Sequence, residues 1–185
     1  MSKNTKTEIF KHATIAFSEF GYKNTSLDQI AKMSGVGKST IYHYVDSKRT
    51  LFKEIIDTEV QYREKIVQDF LSKPVSYNDI TDHLIYFREN QLNPELIKKI
   101  INESKQIGTT EAFEELARLE QCNHDLMKDI LLHLKVTEQT ETNIELLAFL
   151  IVETFNLLTW KWEEGNVPLD YSEIKKQMNA MFFNM

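Results

Sequence analysis

An all-α fold is predicted by three features of this 185-residue chain. Apolar residues recur at three- and four-residue spacing almost throughout, which is the period of an amphipathic helix. Glycine and proline are scarce, five and three respectively, and that disfavours a turn-rich sheet protein. No alternating strand pattern, internal repeat or low-complexity tract interrupts the helical period. The pattern divides into three short helices over residues 1–46 and a longer helical body over 47–185.

The elements follow in order. Ile9, Phe10, Ala13, Ala16, Phe17 and Phe20 form one face of a first helix, and Gly21 stops it with a residue tolerant of positive φ. Thr25 or Ser26 can cap a second helix that turns Leu27, Ile30 and Ala31 inward. Ser34-Gly35-Val36 breaks the period. A short third helix then carries Ile41 and Val45 inward, with Lys38, Ser39, Thr40, Tyr42 and His43 largely outward. From Asp46 or Ser47 a long helix runs to about Leu71, with Leu51, Ile55, Tyr62, Ile66 and Phe70 along one side, and Lys73-Pro74 ends it. At ~1.5 Å per residue that helix spans roughly 35 Å. Five more are expected at about 78–90, 94–105 with Pro94 in its first turn, 110–134, 142–162 and 170–183.

Composition bounds the function. Hydrophobic residues make up 42% and charged residues 27%, values of a folded globular chain and not a disordered one. The longest apolar run, Leu146 to Val152, is far too short to cross a bilayer. The opening "MSKNTKTEIFK" lacks the apolar core of a signal peptide. Cys122 is the single cysteine, so no intrachain disulfide framework exists. A cytoplasmic protein without membrane contact is expected. Charge is divided unevenly: residues 1–55 carry nine Lys/Arg against five Asp/Glu, a balance of +4, while the remainder carries thirteen against twenty-three, a balance of −10. A basic head on an acidic body suggests that the head alone meets a polyanion.

The stretch "GVGKST", Gly35 to Thr40, admits two readings. As the end of a nucleotide-binding loop it would need a glycine five positions before Gly37, where Lys32 stands, and a buried strand in front, where "SLDQIAKM" has helical spacing. "LLAFLIVE" (Leu146–Glu153), the best strand candidate, continues helically through "TFNLLTWKW". A nucleotide hydrolase is therefore only a remote alternative. As a helix-turn-helix the stretch fits better. The second helix of such a motif enters the major groove with its first residues near base edges and its flanks on phosphates. Lys38 and Ser39 open that helix, and Gly37 leaves its backbone unobstructed. Thr40, Tyr42 and His43 carry groups that reach one sugar–phosphate strand, and Lys48 adds a charge on the other side. A merely solvated surface would leave three adjacent rings, Tyr42, His43 and Tyr44, unexplained.

The segment "TSLDQIAKMSGVGKSTIYHYVDSK", preceded by "AFSEFGYKNT", resembles the DNA-binding region of the TetR (tetracycline repressor) family of bacterial regulators. The likeness covers about the first fifty-five residues and rests on a Phe…Gly-Tyr…Thr…Ile-Ala…Gly-Val…Tyr…Lys skeleton. By resemblance Gly37, Lys38 and Ser39 fall where the family touches bases, and Thr25, Ser26, Thr40, Tyr42, His43 and Lys48 fall on its phosphate-contacting positions. Two departures stand out. Val45 replaces a phenylalanine, which implies looser packing between the third and fourth helices. Arg49-Thr50 replaces an acidic residue, which adds a cation near the phosphates.

In the body, residues 142–162 are apolar on two sides. Ile144, Leu147, Ile151, Phe155, Leu158 and Trp162 form one stripe; Leu146, Phe149, Leu150, Leu157 and Trp160 form another, roughly opposite. Two stripes imply burial against the chain's own core and against something else, or else a central core helix. With Ile174, Met178, Met181 and Phe182 on the last helix, a homodimer interface is expected from the first stripe; the resemblance implies a four-helix bundle there. Which stripe meets the partner is left open by the pattern. Tyr62, Phe87, Phe113, Met127, Phe155 and Trp160 are candidates to line a small-molecule pocket, although such residues at helical spacing more often form core. Glu153 joins them: within an apolar stripe its carboxylate either faces a cation or lies solvated at a rim. Cys122 and His124 point apart on a helix, and His12, His83 and His133 are isolated, so no metal, no cofactor and no enzyme activity are expected.

The expected function is that of a DNA-binding transcriptional regulator. In its fullest form it is a homodimeric repressor on near-palindromic double-stranded DNA, released by a small-molecule effector in residues 47–185. The long fourth helix is then the lever between head and body. The alternative keeps the DNA-binding head and makes the body a protein-interaction module without a ligand.

Overall fold

The computed structural model of the chain describes residues 3–108, 110–135, 143–164 and 170–183, apart from the side chains at 3, 4, 107 and 160–164. All regular structure among the described residues is helical: α1 (Lys3–Phe20), α2 (Leu27–Met33), α3 (Lys38–Ile41), α4 (Lys48–Leu71), α5 (Asp79–Glu89), α6 (Pro94–Ile107), α7 (Glu111–His133), α8 (Ile144–Glu164) and α9 (Tyr171–Phe182). The expected boundaries from α4 onward are met to within two residues. α3 is the exception in character: it closes at Ile41, and the N–H groups of His43 and Tyr44 bond three residues back to Thr40 and Ile41. The run Tyr42-His43-Tyr44-Val45 consists of poor helix formers, so the backbone tightens there.

The chain forms two compact units, Met1–Gln61 with Leu92–Leu119, and Tyr62–Gln91 with Glu120–Met185. The boundary at 46/47 read from sequence therefore falls inside the first unit. Its core joins α1, α2, α3 and the first half of α4 to α6 and the start of α7, through Ile9, Ala13, Ile30, Ile41, Leu51 and Leu96 among others. Phe17 and Phe52 are fully buried and meet edge to face at 5.3 Å, with Tyr22 5.3 Å from Phe52. Each such ring contributes roughly 1.5–3 kcal/mol by burial alone. Val45 lies buried in the same core, so the expected looseness beside it is not present.

In the second unit, α9 packs against α5 and α8, around Val67, Ile80, Ile130, Ile151, Ile174 and Met178. Asn143 starts α8 by accepting the N–H groups of Glu145 and Leu146, each at 3.1 Å. Asp170 does the same for Ser172 and Glu173 at the start of α9. The dimer stripe expected on α8 is corrected here. Ile144, Leu147, Ile151, Phe155 and Leu158 face the unit's own core, as do Ile174, Met178 and Phe182. The opposite stripe stands in solvent, with Leu146 at 54% and Leu157 at 59% exposure and Phe149, Leu150 and, on α9, Met181 also exposed. Two stripes of equal hydropathy look alike in a sequence; the positions of α5, α7 and α9 decide which one is covered. Trp160 and Trp162 lie outside the described side chains.

Candidate nucleic-acid interface and internal cavity

α1 ends at Gly21 with φ of 82°, a left-handed conformation that favours glycine. A Cβ there would also come within 3.0 Å of the Glu103 carboxylate. That carboxylate, on α6, accepts the main-chain N–H of Tyr22 and of Lys23, both at 2.8 Å. The Tyr22 hydroxyl donates to Glu111 at 2.5 Å, and burial followed by this carboxylate pushes its phenol upward in pKa. The turn between α1 and α2 is thus held from outside its own sequence.

Two expected phosphate ligands belong to this turn instead. Thr25 is 2% exposed and its hydroxyl donates to the Gly21 and Ala16 carbonyls. Lys48 donates its Nζ to the carbonyls of Tyr22 and Thr25, at 2.8 and 2.9 Å, and sits 4.4 Å over the Tyr22 ring. Partial burial lowers its pKa, against the pull of Glu103 and Glu111. Neither side chain is offered to a phosphate in this arrangement; both are struts of the turn, because short-range carbonyls claim their donors first. Arg49 is similarly engaged, at 3.0 Å from Glu114 and 3.8 Å from Glu111 on α7, so the extra cation expected near the phosphates is directed at carboxylates.

The remaining expected residues form an exposed face. Ser26 caps α2 by accepting the Gln29 N–H at 3.2 Å, which leaves its hydroxyl proton to donate elsewhere. α2 closes with the Ser34 hydroxyl on the Ile30 carbonyl, and Gly35 at φ of 67° returns the chain so that Val36 N–H meets Ala31. This fixes α3 against α2. Gly37, Lys38, Ser39, Tyr42 and His43 are exposed and Thr40 is half-buried. A Cβ on Gly37 would meet nothing closer than the Thr40 hydroxyl at 3.7 Å, so the fold itself does not demand that glycine. Tyr42 leaves 49% of its surface in water. The Lys38 ammonium pairs with Asp28 at 2.7 Å in the open, and that hydrogen bond raises its pKa. The segment before Gly35 is helix, not strand, which removes the structural setting of a nucleotide-phosphate loop.

A helix-turn-helix with this turn and this exposed face matches a family model described as bacterial regulatory proteins, tetR family, over residues 9–55. Residues 9–55 thus resemble the DNA-binding region of the tetR family. The HTH-type transcriptional regulator YhgD of Bacillus subtilis, itself uncharacterised, is 28% identical over 181 residues, covering 94% of this chain and 92% of that one. The biofilm operon negative regulator IcaR of Staphylococcus aureus is 34% identical over 62 residues, about a third of each chain. Among solved structures, the fatty acid degradation regulator FadR of Bacillus halodurans superposes with a TM-score of 0.73 at 17% identity, over 98% of this chain and 96% of that one. The chain is a DNA-binding transcriptional regulator.

The second unit contains a small recess of about 50 Å³. Of the expected pocket residues, Phe87, Met127 and Phe155 line it. Tyr62 and Phe113 do not, and Phe113 belongs to the first unit. Glu153 does not line it either: its carboxylate meets His124 Nε2 at 2.9 Å. The polar lining, Arg63, His83, Arg88, Gln91, Asn123 and Asn156, was not anticipated. Arg63 is 4% exposed, donates to Asn123 Oδ1 at 2.6 Å and lies 5.0 Å over the Phe87 ring. Burial lowers the His83 pKa to about 4, and its ring stacks on Phe70 at 4.1 Å. One signal was available. Arg63 falls seven positions after Ile56 and four before Val67, in phase with the buried side of α4, where a charge requires a reason. Glu103 and Glu111 had no comparable signal, because their partners lie 80 or more positions away.

Proposed function

We propose that the chain is a homodimeric repressor of near-palindromic DNA whose grip is relieved by a small molecule in the second unit. The observation that carries the DNA-reading part is the exposed face of α3: Gly37, Lys38 and Ser39 at its start, with Ser26, Thr40, Tyr42 and His43 flanking it. In this reading the first three approach base edges and the others anchor phosphates. Tyr42 suits that role because an exposed phenol combines an apolar ring with a donor hydroxyl. The negative regulation stated in the name of IcaR supports repression as the sense of control.

Self-association is supported by the uncovered stripe Leu146, Phe149, Leu150 and Leu157 with Met181 beside it, an apolar surface of the kind that a second copy covers. Two α3 helices related by a two-fold axis would then read half-sites about 34–36 Å apart. The recess bounded by Arg63, His83 and Phe155 is the feature that supports the effector role. α4 is one unbroken helix that carries Lys48 at its start and Arg63 and Val67 of the recess wall farther on, which suits it to transmit occupancy. No helix among the described residues is long and apolar enough to cross a membrane, and a non-enzymatic cytoplasmic role fits this reading.

The test is selection of bound sequences from a pool of random duplexes. The expected product is an inverted repeat bound by two copies of the chain, with affinity falling steeply as salt rises. Recovery of an asymmetric site bound by one copy, or of no enriched sequence, would remove the proposal.

A further inference from the structure

The uncovered stripe of α8 carries a carboxylate at its middle. Leu146, Phe149, Leu150 and Leu157 stand in solvent. Glu153 lies among them, seven positions after Leu146, four after Phe149 and four before Leu157, which is the same face of the helix. A carboxylate there needs a counter-charge before water can leave it. The chain supplies one from α7: His124 Nε2 lies 2.9 Å from Glu153 Oε1, and the His124 and Phe149 ring centroids are 5.1 Å apart. Glu120, one turn before His124, has its pKa raised first by desolvation and then by the Glu153 charge, against the pull of His124. Neighbouring charges are matched to one another. On α7, Lys128 holds Glu145 of α8 at 2.6 Å and Asp125 accepts from Gln121 at 3.0 Å. On α9, which packs against α8, Lys175 and Lys176 pair with Asp82 and Glu173. On α4, Arg63 donates to Asn123 beside His124.

Resting on the self-association reading, we propose that two copies pairing through this stripe take up protons at His124–Glu153, so that the dimer tightens as pH falls from about 8 towards 6. In the free chain the Glu153 side chain keeps 45% of its surface in water and His124 keeps 18%, so water solvates the carboxylate whichever form the ring takes. Covering the stripe removes that water, and the two-fold brings a second Glu153 into the same contact. An ionised carboxylate is costly there unless the facing imidazole is protonated. One proton therefore enters per copy, onto the His124 ring, and is held in its hydrogen bond to Glu153. The paired state binds more protons than two free chains, so association weakens as pH rises. Glu120 adds a carboxyl whose raised pKa acts in the same direction. The arrangement also suits a second copy as the occupant. A face that carries its own counter-charge is self-complementary, as an isologous contact requires, whereas a face built for a basic partner would leave Glu153 for that partner to neutralise.

The test is sedimentation equilibrium of the full-length protein at about pH 6 and about pH 8, at fixed ionic strength, with circular dichroism to confirm folding. The wild-type dissociation constant is expected to be at least about tenfold lower at the acidic pH, since two linked protons per dimer allow up to about a hundredfold per pH unit. Glu153→Gln keeps the shape and removes the charge. It is expected to pair at the higher pH as tightly as the wild type does at the lower, with a pH response of about twofold or less. His124→Gln keeps a donor to Glu153 but cannot charge, and is expected to weaken the dimer at the lower pH and flatten its response. Equal wild-type constants at both pH values, or a full response retained by Glu153→Gln, overturn the inference and leave the dimer standing. A monomer for both proteins at both pH values removes the self-association reading and the inference with it.

Discussion

Glu103 on α6 holds the backbone of Tyr22: its Oε2 accepts the Tyr22 N–H at 2.8 Å, and its Oε1 accepts the neighbouring Lys23 N–H at the same distance. One carboxylate thereby satisfies two donors of the turn that precedes the helix-turn-helix. Glu103→Gln keeps the shape but replaces one acceptor with an amide that faces a donor. Hydrogen bonds to charged groups contribute about 1.5–3 kcal/mol, so amide exchange at Tyr22 and Lys23 is expected to accelerate at least tenfold. Hydrogen exchange measured by NMR checks this; unchanged protection at both amides would show that the clamp is not needed in solution.

Lys48 and Lys38 give opposite signatures in salt. Lys48 spends its ammonium on the Tyr22 and Thr25 carbonyls, whereas the Lys38 ammonium stands exposed beside Asp28. Lys48→Met is expected to weaken DNA binding while leaving the slope of log affinity against log salt unchanged. Lys38→Met is expected to change sequence preference if Lys38 meets a base, or to make the slope shallower by about one per half-site if it meets a phosphate. Binding measured across a salt series distinguishes them. A shallower slope for Lys48→Met would return that residue to the phosphate contacts.

Leu157 is the most exposed large apolar residue among the described side chains of α8. Leu157→Arg puts a charge on each copy at the proposed two-fold contact, at no cost to the core. Sedimentation is expected to give a monomer at micromolar concentration, with an unchanged circular dichroism spectrum and much weaker binding to a full inverted repeat. The substitution Ile151→Arg, by contrast, strikes the buried stripe and is expected to unfold the second unit. A dimer that survives Leu157→Arg would place the contact elsewhere.

His83 makes stability depend on pH. Burial holds its imidazole at about 4, below the ordinary 6.5. Between those values the unfolded chain binds the proton and the folded chain does not. Stability is therefore fully present above about 6.5 and declines as pH falls towards 4. From pH 7 to pH 5 the loss attributable to this residue is about 2 kcal/mol. Urea unfolding of the wild type and of His83→Gln at both pH values isolates it; equal losses in the two proteins would mean that the ring is solvated.

Most of the helical layout was legible because amphipathic period, caps and breakers act within a few residues of one another. Gly21, Ser26, Gly35 and Pro94 each do locally what their chemistry allows. The exposed part of the reading face was legible for the same reason: Lys38, Ser39, Tyr42 and His43 point away from Ile41 and Val45 by helical geometry alone. The partners of Thr25 and Lys48 were not legible, because a hydroxyl or an ammonium says nothing about which acceptor will claim it.

What the amino-acid order determined by itself is the run of helices, the helix-turn-helix, and the fact that residues 142–162 carry more apolar surface than one core can cover. Only tertiary packing decided that Ile151 faces inward and Leu157 outward, that Glu103 reaches the amides of Tyr22 and Lys23, and that Arg63 and Arg88 share a recess. The reason is range. Periodicity and capping energies depend on neighbours three or four positions away, whereas burial and charge pairing depend on which distant helix arrives alongside, and no local pattern encodes that.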